Sequence, residues 1–148
     1  MLGLISGLGI NVNMTGDLSL SKRPMNRVIT PLKEMGANIS SNNGKLPIKI
    51  SAGKIVENYD YQMPIASAQV KSCLILAALA SKTNIKIHEP KVTRDHTERI
   101  IEHFDGKINY GQESREIKFS FQELKPSSSY NIVAVSYTHL TLPTTLYV

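Results

Sequence analysis

The sequence predicts an α/β (α+β) fold of short strands and amphipathic helices, and three observations carry that expectation. Hydrophobic periodicity switches along the chain between two and about 3.6 residues, the periods of a strand and a helix. One stretch, reading strand, basic residue, helix, strand, strand, returns about seventy residues later. The helix within "MPIASAQVKSCLILAALA" (residues 63–80) is apolar on every side over its second half, as a helix central to a layered domain should be.

The chain opens on "MLGLISGLG", an apolar run with no capping residue before it, so Met1 is expected to be an internal methionine. Gly9 and Gly16 bracket "INVNMT", where Ile10, Val12 and Met14 alternate with polar residues as in a half-buried strand. Ser21-Lys22-Arg23-Pro24 is expected to open a helix, with Pro24 in the first turn, where its missing N–H costs nothing. Met25, Val28, Ile29, Leu32 and Met35 share one helix face, and Gly36 marks its end. "ANIS", a turn at Asn42-Asn43-Gly44 and "LPIKIS" read as a strand pair, and residues 53–60 as a connection. The apolar helix follows over 67–81, then "IKIHE" as a strand and 93–104 as a helix. "KINY" and "EIKFSF" close the series as strands around a polar turn. In the repeat, "KRPMNRVITPL" aligns with "TRDHTERIIEHF", setting Arg27 against Arg99, and "MGANI" meets "FDGKI". A duplicated α/β unit explains the match; amphipathic helices also share such patterns by coincidence.

With 17 Lys and Arg against 12 Asp and Glu, the 148 residues carry a formal charge of +5 and a pI near 9.4. The cations are spread along the chain, with no basic run and no Trp, which argues against a nucleic-acid partner. A small anionic substrate suits this charge, as does an ordinary solvated surface. Cys73 stands alone, so no internal disulfide can form, and a reducing compartment is expected. No stretch reaches the roughly eighteen apolar residues of a membrane span, and no signal pattern opens the chain. No membrane and a cytoplasmic location are the expectation. The stretch "VSYTHLTLPTTLYV" from Val135 contains no Lys, Arg, Asp or Glu. "AVSYTHLTLPT" resembles an in-frame translation of a sequencing-library adapter, so residues 135–148 are expected to be a non-native tail.

The chemistry concentrates at helix starts. A helix beginning near Ser67 presents unpaired N–H groups and the positive end of its dipole, a ready site for phosphate or carboxylate. Ser67 can cap that helix or bond a ligand oxygen; Gln69 can donate and accept, and Lys71 is expected to add charge. An ordinary Ser cap with solvated Gln and Lys fits the same letters. Lys22-Arg23 and Arg94 place cations before two further helices, where the dipole disfavours them. Three such mouths suggest convergence on a ligand with more than one negative charge, gripped by guanidinium pairs. His96, beside Asp95, reads as a capping or surface residue. His88, His103 and His139 lack metal-ligand spacing, so no metal is expected. There is no nucleophile elbow, Gly-rich phosphate loop or dinucleotide fingerprint.

Three long motifs in order, "GDLSLSKRPMNRVITPLKEMGA" (16–37), "YQMPIASAQVKSCLILAALA" (61–80) and "EPKVTRDHTERI" (89–100), resemble the 5-enolpyruvylshikimate-3-phosphate synthase family. The resemblance implies two domains, each of three βαβαββ units, with the active site between them. Residues 1–134 would then be a partial enolpyruvyl transferase domain, about two of its three units. The implied reaction moves the carboxyvinyl group of phosphoenolpyruvate onto the 5-hydroxyl of shikimate 3-phosphate, through a tetrahedral intermediate and with release of phosphate. It needs no metal or organic cofactor and belongs to the shikimate pathway. By the same resemblance Ser67, Ala68 and Gln69 hold shikimate 3-phosphate, with Arg94 and, beside it, Thr93. Gln69 also reaches phosphoenolpyruvate, which Arg23 grips. Ala68 stands where other relatives have a second serine. The family's acid/base aspartate and lysine fall in the other domain, so none of these residues is expected to be catalytic, and the 148 residues alone are expected to be inactive. The full-length enzyme is expected to be a monomer. Three rivals are an enolpyruvyl transferase acting on a UDP-amino sugar, a non-catalytic basic anion-binding module, and a truncated product whose apolar faces have nothing to cover them and which does not fold stably.

Overall fold

A computed structural model describes residues 1–111 and 115–125. The expected tail from Val135 lies outside the described residues.

Two antiparallel three-strand arrangements with the same strand order build the core. In the first, β1 (Val12–Met14) and β2 (Asn38–Asn42) flank β3 (Lys45–Ser51), with Val12 and Ile39 both paired to Ile50. In the second, β5 (Ile85–His88) and β6 (Lys107–Tyr110) flank β7 (Glu116–Ser120), with Ile85 and Ile108 both paired to Phe119. Helix α3 (Asn26–Glu34) joins β1 to β2, and α5 (His96–His103) joins β5 to β6. Helix α1 (Leu2–Leu8) precedes β1 as α4 (Ala68–Ser81) precedes β5. A fourth strand, β4 (Tyr59–Gln62), lies parallel to β5 with α4 as the crossover that parallel pairing requires. The second unit is therefore βαβαββ from β4 to β7. The first runs αβαββ over the same positions, with a short α2 (Leu18–Ser21) added. The repeat read from the sequence is a repeat of topology.

Period-two alternation puts Ile39, Ile48, Ile50, Ile85, Ile87, Ile117 and Phe119 on the inner faces, all buried in one cluster with Val28, Ile29 and Leu32 of α3. Each such side chain removed from water contributes about 1.5–3 kcal/mol. The outer face of the second sheet is a charged ladder, Asp60 opposite Lys86 opposite Lys118. The hairpin between β2 and β3 turns on Asn43 and Gly44, both in the left-handed region (φ 50° and 69°), as a two-residue turn needs.

Three boundaries differ from expectation. Helix α3 starts at Asn26, capped by Met25, so Pro24 lies outside it; Ser21 instead closes α2, with Lys22 as its C-cap. Asp17 caps α2 by accepting the Leu20 N–H at 2.7 Å. Helix α5 starts at His96 and not near Thr93, because the Thr93 N–H is drawn to Glu89 Oε2 at 2.8 Å. The connection expected over 53–60 ends early, because residues 59–62 form β4 by pairing with β5.

Helix α4 packs against α1 through Gly3 and Gly7. A Cβ on Gly3 would land on the Cys73 carbonyl, and one on Gly7 on the Ala77 carbonyl. Cys73 thus lies under α1, and burial pushes its thiol from the ordinary 9.0 to about 11, against the lowering effect of a hydrogen bond from the Gly3 backbone. The folded chain holds this proton more tightly than the unfolded one. The resulting stabilisation is complete below 9.0 and is lost as the pH rises toward 11. Since thiolate is the reactive form, Cys73 should resist iodoacetamide at about pH 8 and react fully once urea unfolds the chain. Equal alkylation rates in the two states would show that α1 does not cover it.

Candidate functional site

Helix α4 begins as its first residues dictate. Ser67, in extended backbone, is its N-cap, and Ser67 Oγ accepts the Val70 N–H at 3.4 Å. The first intrahelical bond runs from the Lys71 N–H to the Ser67 carbonyl at 3.1 Å. The amides of Ala68 and Gln69, in the first turn, have no helical carbonyl before them to bond, and both residues line the mouth. The Ser67 N–H contacts Met63 Sδ at 3.3 Å, tying the cap to the end of β4.

A depression of about 480 Å³ opens at that mouth, lined by Ser67, Ala68, Gln69, Thr93, Arg94 and Arg27 among others. All five expected shikimate-side residues therefore line it from two segments far apart in sequence, Ser67, Ala68 and Gln69 from the start of α4 and Thr93 and Arg94 from the loop before α5. A smaller recess of about 270 Å³ shares Ala68, Gln69 and Arg94 and adds Ser72 and His96. No carboxylate among the described residues lines either recess. Asp95, which follows Arg94 in the chain, is turned to Arg99 at 2.8 Å, and that hydrogen bond holds its carboxyl below the usual range. Two exposed guanidinium groups facing a helix start make a site for oxyanions. The volume is within the range of small-molecule pockets. A larger adjoining groove of about 590 Å³ shares Arg27 and Ser67 with the depression but adds Glu34 and the apolar surface of Met63, Ile65 and Val70.

Residues from three helix starts border this mouth, but not with the cations expected. Arg23 lies exposed after α2 and does not line these recesses; Arg27, in the first turn of α3, does. The repeat in the sequence pairs Arg27 with Arg99 and by itself gives Arg27 no role at the site. The two diverge, since Arg99 is occupied by Asp95.

Lys71 is the clear correction. It adds no charge to the mouth, being only 2% exposed, with Nζ 2.7 Å from Glu89 Oε1 and 2.6 Å from Glu98 Oε1. A lysine four residues into a helix reads as solvated until its two carboxylates, from the loop after β5 and from α5, are placed in space. Among the described residues no group of His, Cys, Asp and Glu has the arrangement of a metal site, and no helix is long and apolar enough to cross a membrane.

Comparison with known proteins agrees on one family. The family model described as EPSP synthase (3-phosphoshikimate 1-carboxyvinyltransferase) matches residues 1–134. The 3-phosphoshikimate 1-carboxyvinyltransferase of Ruthia magnifica subsp. Calyptogena magnifica is 50% identical over 107 residues, 72% of this chain and 25% of that protein. The Clostridium tetani protein of the same name is 41% identical over 128 residues, 86% of this chain and 29% of its own length. The solved EPSP synthase from Acinetobacter baumannii superposes with a TM-score of 0.72 at 37% identity, over 83% of this chain and 29% of that one. The chain thus spans 25% and 29% of the lengths of these two curated relatives.

Proposed function

This chain belongs to the EPSP synthase family, and from that premise we propose that its helix-mouth depression is the shikimate 3-phosphate side of a carboxyvinyl transferase site. The observation that carries the reading is the meeting of Ser67, Ala68, Gln69, Thr93 and Arg94 with Arg27 around one recess that no carboxylate among the described residues lines. The 3-phosphate is dianionic and the ring carboxylate adds a further charge. Arg94 takes phosphate oxygens in bidentate fashion, Ser67 and the first-turn amides of α4 supply neutral donors, and Gln69 faces both substrates. Arg23 contributes to the phosphoenolpyruvate side. Held in this way, the 5-hydroxyl adds to the carboxyvinyl carbon of phosphoenolpyruvate, and the tetrahedral intermediate collapses with loss of phosphate. Proton transfer to and from the reacting carbons requires an acid and a base within hydrogen-bond reach. We assign those roles to groups beyond the 148 residues, so the isolated chain is expected to bind and not to turn over. Family match and fold favour this reading over a UDP-sugar transferase or a nucleic-acid binder. A partial enolpyruvyl transferase domain over 1–134, a cytoplasmic setting and a monomeric complete enzyme complete the proposal.

Calorimetric titration tests it. The chain should bind shikimate 3-phosphate, and Arg94→Ala should weaken that binding about 100-fold, the worth of a charge-assisted pair. A titration insensitive to Arg94, or tight oligonucleotide binding that falls steeply with salt, would refute the assignment.

A further inference from the structure

Resting on the shikimate 3-phosphate reading, we infer that Lys71, with Glu89 and Glu98, is a positioning residue that sets Arg94 against the mouth of α4. The contacts run in an unbroken chain. Lys71 projects from the same helix that carries Ser67 and Gln69. Its Nζ meets Glu89 Oε1 at 2.7 Å, and that carboxylate holds the residue before Arg94 twice. Thr93 Oγ1 donates to Glu89 Oε1 at 3.0 Å, and the Thr93 N–H donates to Oε2 at 2.8 Å. The same Nζ meets Glu98 Oε1 at 2.6 Å, which fixes α5, whose cap Asp95 directly follows Arg94. Arg94 is therefore clamped on both sides through one ammonium group.

Stability alone does not account for this choice of residues. Burying a cation near the positive end of a helix is unfavourable, and buried ion clusters are commonly no more stabilising than apolar side chains of equal volume. The cluster holds two carboxylates for one ammonium, and Glu98 Oε2 has no hydrogen-bond partner among the described residues. What ionic contacts supply and apolar packing does not is direction. A guanidinium that must meet phosphate oxygens together with Gln69 and Ser67 depends on placement to a fraction of an ångström.

The test uses the 148-residue chain and a variant without charge in the cluster, Lys71→Met/Glu89→Gln/Glu98→Gln, with Glu89→Gln alone as the milder change. Both should unfold cooperatively, yet bind shikimate 3-phosphate about 10- to 100-fold more weakly than the parent. In both, the Thr93 amide should lose protection from hydrogen exchange that it has in the parent. Intact affinity in either folded variant would overturn the inference while leaving the substrate reading standing. So would a Thr93 amide already unprotected in the parent, a measurement that needs no variant to fold. Failure of the parent to bind shikimate 3-phosphate would sink the substrate reading and this inference with it.

Discussion

Lys71→Ala is expected to lower the unfolding free energy by about 3–5 kcal/mol, because it strands two carboxylates in the interior. Glu89 and Glu98 are 4% and 0% exposed, so water cannot replace the lost ammonium. The loss should change little between low and moderate salt, since a buried cluster is poorly screened. Lys86 provides the contrast: it meets Asp60 at 3.8 Å and Glu116 at 3.4 Å on the outer sheet face, with its side chain 36% exposed. Lys86→Ala should cost no more than about 1 kcal/mol, and less as salt is added. Urea denaturation of both variants at two salt concentrations measures the difference. A loss at Lys71 as small as that at Lys86 would mean that water reaches the cluster. The charge-free triple variant should recover most of the loss, and that recovery separates stability from placement.

The parts of the fold that were legible in the sequence are those decided by near neighbours. The face Val28, Ile29, Leu32 and Met35, the Asn43-Gly44 turn and the Ser67 cap each depend on residues a few positions apart. The repeat was legible because it preserved those local patterns twice. Elements decided by distant partners were not. Residues 59–62 have a strand's alternation in only two tyrosines, and become β4 by pairing with β5 some twenty-five residues on. The start of α3 was misplaced because Pro24 suits a first turn, while the Asp17 cap that forms α2 takes up Ser21 and turns Lys22 toward a helix C-terminus. There a cation is favoured, so the dipole argument made for Lys22 reverses. The site divides in the same way. Its α4 residues follow from a cap and a spacing; Arg27 and the burial of Lys71 arise only when separate segments meet.

Gly3→Val should be nearly as damaging as the loss of Lys71, at about 3 kcal/mol or more. Helices usually meet through side chains at 8–10 Å between axes, and a glycine pair at positions i and i+4 allows a closer approach. Here Gly3 and Gly7 of α1 lie on the backbone of α4. The Cβ introduced at Gly3 meets the Cys73 carbonyl and its carbon, and at 2.9 Å the sulfur as well. The sulfur could turn aside, but the carbonyl belongs to a helix buried on most sides and has nowhere to go. Helix α1 must therefore lift, exposing Leu2 and the face of α4 around Cys73. Gly16→Ala gives a milder control, because the nearest atoms its Cβ would meet are the flexible end of Leu46 at 2.8 Å and Leu20 Cβ at 3.0 Å, and Leu20 lies on an exposed short helix that can give by a few tenths of an ångström. That substitution should cost under about 1 kcal/mol. Denaturant midpoints report the energies, and Cys73 alkylation reports the geometry: it should become fast in folded Gly3→Val and stay slow in Gly16→Ala. A Gly3→Val chain as stable as the parent, with its thiol still protected, would show that α1 and α4 are not in direct backbone contact.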